Sequence, residues 1–228
     1  MTIAQHNQQI DTAIQLLIEN SNQQLDRIIS ALDQVLVDNP EGDITVAATV
    51  VLLGLGVSQS DTAAITSKLL EEYSALSKLE FDSVTASTLS NSVASTISNE
   101  SASLGQQLVA AAVIGRLIGN SRTAINRSLK ETRDRGSRVI HTAIIQSIMT
   151  AHGAFGYKIA RLAGITRFKY AGGTIPTTRP FCRTHNNKTY TTQEIKQIWQ
   201  GNWGGKKPGD PYVTRGGYRC RHYWLPVV

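Results

Sequence analysis

Apolar residues return every seven positions across the first 37 residues of this chain, and that repeat restricts the fold more than any other feature. Ile3, Ile10 and Leu17 form one series. Ile14, Ile28 and Val35 form a second, with Ser21 filling its gap, and Leu25 and Leu32 complete the stripe. A seven-residue period held over so many turns predicts a long amphipathic helix over residues 3–37 that pairs with other helices. Asn39-Pro40-Glu41-Gly42 ends it. The apolar stretch Ile44–Val57 follows, with Gly54 and Gly56 marking close packing or a break. As a helix it reaches only about 21 Å against roughly 30 Å of bilayer hydrocarbon, so it reads as a core segment.

Further helices are predicted downstream. Ser58-Gln59-Ser60-Asp61 offers an N-cap for a helix bearing Ile65, Leu69, Tyr73, Leu76 and Leu79. Residues 82–103 are rich in Ser, Thr and Asn, yet Val84, Leu89, Val93, Ile97 and Leu104 keep near-helical spacing. They read either as a linker or as a small-residue helix packed closely on a neighbour. Gln106–Ile118 resembles a buried Ala-rich helix in composition. A helix from about Ser137 to Leu162 turns Ile140, Ile144, Ile148 and Phe155 inward.

Charge divides the chain. Residues 1–115 carry three basic and thirteen acidic groups, net −10; residues 116–228 carry twenty basic and four acidic, net +16. Such a split suits two parts with different partners. Arg122, Arg127, Lys130, Arg133, Arg135 and Arg138 crowd one stretch, either a solvated helix face or a contact for phosphate or an acidic protein. It holds no aromatic residue, so stacking on single strands is unsupported. With 41% apolar and 18% charged residues the chain is expected to be ordered. No basic region followed by an apolar one opens the chain, so no signal peptide is expected.

After Gly164 the composition changes to that of a small α+β unit. A strand is expected at Phe168–Tyr170, a loop at Cys182, a strand at Lys188–Thr191, a helix at Thr192–Gln200 capped by Thr192, and a closing strand at Tyr218–Trp224. Both cysteines of the chain lie here, each beside a histidine: Cys182-x-x-His185 and Cys220-x-His222. Two close pairs of soft ligands suit a tetrahedral structural zinc. Residues two apart in a strand share a face, which would aim Cys220 and His222 together. A buried reduced cysteine pair with hydrogen-bonded histidines, or a Cys182–Cys220 disulfide, fits the same residues. A nuclease reading is also open: His185 and His222 as acid and base with Tyr190, Glu194 and Arg221. Gly204-Gly205-Lys206-Lys207 lacks phosphate-loop spacing and reads as a turn with solvated lysines. Trp203, in its Gly-rich loop, is core or an interface anchor.

The wider pattern is Thr178-Arg179-Pro180-Phe181-Cys182, then Lys188-Thr189-Tyr190-Thr191, then Gly216-Gly217-Tyr218-Arg219-Cys220-Arg221-His222-Tyr223-Trp224-Leu225-Pro226. It resembles the C-terminal domain of the phage Mu F-like minor head (head-morphogenesis) proteins of tailed bacteriophages. The resemblance covers roughly residues 138–228. Members usually carry an Asp just before the Thr-Arg, where this chain has Thr174-Ile175-Pro176-Thr177.

The expected fold is mainly α: a helical N-terminal module over residues 1–136 and a small α+β C-terminal domain over 137–228. The resemblance implies a non-enzymatic virion protein of the phage head or head–tail region, made in the host cytoplasm. It would act in head assembly, DNA packaging or ejection. Its implied partners are portal or capsid proteins, packaged double-stranded DNA, and further copies of itself in a symmetric ring. The competing class is a nuclease or toxin-like effector on the same C-terminal domain. A general nucleic-acid-binding adaptor is the third.

Overall fold

The computed structural model describes residues 1–40, 44, 47–48 and 59–228. Apart from Ile44, Ala47 and Ala48, the expected core segment Ile44–Val57 lies outside them. The chain is mainly α, with a long helical N-terminal region and a small C-terminal part built on a three-stranded antiparallel sheet. Its elements are α1 (Ile3–Asp38), α2 (Gln59–Ser77), α3 (Ser83–Leu117), α4 (Arg122–Leu162), β1 (Arg167–Ala171), α5 (Pro180–His185), β2 (Thr189–Thr191), α6 (Thr192–Gln200), α7 (Pro211–Thr214) and β3 (Tyr223–Pro226). Among the described residues no helix is long and apolar enough to cross a membrane.

The chain forms two compact units, each drawn from segments far apart in sequence. One comprises residues 1–15, 60–94 and 145–228; the other comprises 16–59 and 95–144. The boundary expected at 136/137 falls inside α4, which runs unbroken through the basic stretch. Gly136 is helical there because its neighbour requires it: a Cβ at that position would sit 2.2 Å from a methyl of Leu104. The glycine lets α3 and α4 approach within their unit.

On α1 the buried side is His6, Ile10, Ala13, Ile14, Leu17, Ser21, Leu25, Ile28, Leu32 and Leu36. The predicted helix is present, but its stripe follows 3.6 rather than 3.5 residues per turn toward its end. Leu36 is therefore buried where the seven-residue series placed Val35, which is half-buried. Residues 83–117 form one helix, not a linker. Asp82 caps it, accepting from Thr85 N at 2.9 Å and Thr85 Oγ1 at 2.7 Å. In α2 the expected Leu69 and Tyr73 are buried, whereas Ile65 and Leu76 are half-buried and Thr62, Thr66, Ser74 and Ser77 take core positions; Leu79, also half-buried, lies beyond the helix end. Those hydroxyls can be buried because several donate within the helix, as Thr66 does to the Thr62 carbonyl at 2.9 Å.

The sheet has the order β2-β1-β3. Phe168 lies opposite Tyr190 on one side and Pro226 on the other. Its buried side chains pack with Ala160 of α4, Cys182, Ile195 of α6, Tyr212, Cys220 and Trp224. Helix α6 spans the expected Thr192–Gln200, but its cap lies one residue earlier than expected: Thr191, not Thr192, closes a reciprocal capping box with Glu194. The last strand is shorter than expected. It starts at Tyr223, leaving Cys220 and His222 in the turn before it.

Candidate metal centre

Two irregular segments carry the cysteines to one place. Pro180 starts α5 without wasting a backbone donor, and Cys182 faces the sheet from its first turn. The second segment leaves α7 through Arg215 at φ 51°, Gly217 at φ 99° and Arg219 at φ 55°, and these left-handed residues fold it back onto β1. Cys220 and His222 therefore face together because of a tight turn, not through strand alternation. Gly216 leaves the space: a Cβ there would lie 2.4 Å from Cys182 Sγ and 2.9 Å from Cys220 Sγ.

The sulfurs of Cys182 and Cys220 are 3.7 Å apart, and Cys220 Sγ is 3.9 Å from His222 Nδ1. Neither cysteine is in a disulfide, and all three residues are buried. Two thiolates about 2.3 Å from a tetrahedral zinc stand about 3.8 Å from one another, so the sulfur spacing fits zinc. A disulfide would require about 2.05 Å. Tyr170 O–H lies 3.5 Å from each sulfur, and the Tyr170 ring stacks on His222 at 5.2 Å. The cluster of Cys182, Cys220 and His222 can hold a metal ion.

Charge around the pair is asymmetric. Arg215 is buried and donates to the carbonyls of Met149 and Val213, the latter at 2.6 Å. A guanidinium keeps its proton, so a buried one needs an anion nearby. Cys220 supplies it. The hydrogen bond from Cys182 draws the Cys220 thiol far below its ordinary value, with help from His222 and Arg215. Cys182, bonded to that thiolate and buried, keeps its proton well above the usual thiol range. The two sulfurs are placed to share one proton, Cys182 favouring it and Cys220 yielding it, and a metal ion binding both would release it.

Of the four ligands expected from the sequence, the structure brings three together. His185 is the exception: its Nδ1 pairs with Tyr190 O–H at 2.8 Å, and its ring lies 4.5 Å from Phe181. Burial lowers its pKa, and Lys188 lowers it further. Among the basic candidates, Arg122 binds Asp33 through two bonds of 2.7 Å, and Arg133 grips Asp26 at 3.1 Å. Arg138 donates to the Asp134 carbonyl. Arg127, Lys130 and Arg135 are exposed, with no ion pair among the described residues. Trp203 is spent internally, stacked on Phe181 at 3.9 Å and donating to Gly216 O. Lys206 is not a solvated lysine: it lies 4.9 Å above the Trp203 ring and donates to Trp199 O.

Sequence reasoning missed Tyr170, Arg215 and Gly216. No family model, curated protein or solved structure matches the chain.

Proposed function

We propose that this chain is a structural component of a tailed-bacteriophage virion, associated with the portal or inner capsid and acting in head assembly, packaging or ejection. The observation that carries this reading is that residues resembling the Mu F-like pattern help to build the core beneath the small C-terminal sheet. Of that pattern, Cys182 of α5, Cys220 and Trp224 lie in its core, and Phe181 and Tyr190 pack against it. A pattern spent on architecture suits an assembly module better than a reaction centre. Zinc bound by Cys182, Cys220 and His222 would cross-link α5 to the last turn, doing for this small domain what a larger core does elsewhere.

The nuclease reading is less well supported. It needs His185 and His222 to act on one phosphate. His185 instead bonds Tyr190 outside the cluster, and His222 is buried against Tyr170. The basic helix favours a protein partner in the same way. Its Arg122 and Arg133 already neutralise Asp33 and Asp26 of α1, leaving Arg127, Lys130 and Arg135 to meet an acidic portal or capsid surface or, less selectively, DNA.

The composition of purified particles tests this proposal, together with capture of portal protein at low and moderate salt. The chain should be present in the particle, and capture should weaken with salt. Absence from particles, with no affinity for any head or tail protein, would overturn the reading. Turnover of RNA or DNA abolished by His222→Ala in a folded protein would favour the nuclease.

A further inference from the structure

We infer that the Cys182–Cys220–His222 centre holds its metal with one coordination position open, and that a phosphate group fills this position from an arginine-lined cleft. The inference rests on the metal reading above and adds its exogenous ligand.

The ligand count comes first. His185 has turned to Tyr190, and among the described residues no further His, Cys, Asp or Glu joins the cluster. A tetrahedral ion on three protein ligands keeps a fourth position for water or a ligand. That position is reachable, since all three ligand residues line one cleft of about 470 Å³.

Charge then selects the occupant. A zinc ion on two thiolates and a neutral imidazole carries no net charge, so the charge of the cleft is set by its other residues. Those are Arg179, Arg219 and Arg221, against the carboxylate of Asp11. Arg221 pairs with Asp11 at 2.7 Å. Arg179 donates to the Tyr218 carbonyl. Arg219 has no ion pair among the described residues. Its φ of 55° is strained for a side chain with a Cβ, and such strain gathers where a group is held for use.

A guanidinium presents paired donors to an oxyanion. A phosphate group can offer one oxygen to the metal while two others accept from Arg219. Its source is either a small phosphorylated molecule or a nucleic-acid backbone.

The test uses the full chain loaded with cobalt(II), which takes the same ligands and shows visible absorption bands. Free metal is removed, and inorganic phosphate or a short DNA duplex is titrated in. The bands should shift saturably with phosphate. Arg219→Gly, which suits the left-handed backbone, should keep the fold by circular dichroism and the cobalt loading. It should weaken phosphate at least about tenfold. A shift by duplex as well assigns the backbone as source; a shift by inorganic phosphate alone assigns a small molecule. Bands indifferent to both anions in loaded protein would overturn the open position while leaving the metal centre standing. Failure to take up cobalt would overturn the metal centre itself. Unchanged phosphate affinity in Arg219→Gly would remove the arginine from the site.

Discussion

His6 and His152 meet ring to ring, Nε2 to Nε2 at 2.8 Å, although 146 residues separate them. Tyr73 and Tyr223 pack around both rings, with centroids 4.3 Å and 4.7 Å from His152. One imidazole donates and the other accepts, so at most one of them can be charged, and burial disfavours even that.

Acid should therefore unfold this unit early. Burial lowers the His6 pKa from 6.5 to about 4, and burial, His6 and Arg215 push His152 well below its ordinary value. Because the unfolded chain binds these protons more readily, the stability is fully present above about pH 6.5. It falls as pH drops toward 4, by roughly 3 kcal/mol from His6 alone. Urea midpoints between pH 7 and 4.5 measure the fall, and His6→Phe should make it shallower. A midpoint independent of pH over that range would contradict a buried neutral pair.

The histidines of the cysteine region should separate under mutation. Cys182→Ser, Cys220→Ser and His222→Ala should each lower zinc affinity more than about a hundredfold, beyond the usual loss of a supporting hydrogen bond. His185→Ala should leave it unchanged. Competition with a chromophoric chelator reads both, and a large loss in His185→Ala would restore the four-ligand site.

Neighbouring positions on α1 should differ sharply. Leu36→Ala should destabilise by about 2–5 kcal/mol, because the side chain is 4% exposed. Val35→Ala should cost less than about 1 kcal/mol at its half-buried site. Denaturant unfolding of the two variants decides which residue belongs to the packed face, and equal losses would favour the seven-residue register.

The ion pair between Arg122 and Asp33 should contribute little. Both side chains are substantially solvated, at 53% and 31% exposure. A double-mutant cycle should return a coupling below about 1 kcal/mol that shrinks with salt. A larger, salt-insensitive value would mean that these charges are shielded from water.

Legibility followed the range of the interactions. Helix α6 was readable to its last residue because its cap and amphipathic face are encoded within ten positions, and only the capping threonine shifted by one. The long helices were readable where apolar spacing persisted. The expected boundary at 136/137 lies within one helix, and the reason for Gly136, its contact with Leu104, lies on another helix that local spacing does not reveal. Two cysteines beside histidines announced their meeting. Spacing could not say which histidine ring would join them, because Tyr190 competes for His185 through a turn that the spacing does not describe. Tyr170 and Arg215 were invisible for the same reason. Their contacts reach across 12, 50 and 66 residues, and the strand that carries Tyr170 says nothing of the sulfurs its hydroxyl meets.

The interleaving of the first compact unit has a consequence for biosynthesis. Asn7 accepts from Tyr223 O–H at 3.0 Å, and Asp11 binds Arg221 at 2.7 Å. As the ribosome releases the chain from its amino end, the first helix emerges long before the segment that completes its surroundings. Until then the side of α1 that carries Asn7 and Asp11 is incomplete, and contacts of such long sequence separation form slowly. Translation halted before residue 221 would leave helix α1 able to reach Tyr73 and His152 but without Arg221 and Tyr223, so that its Asn7 and Asp11 side stays unclosed, a natural target for holding chaperones and for proteolysis.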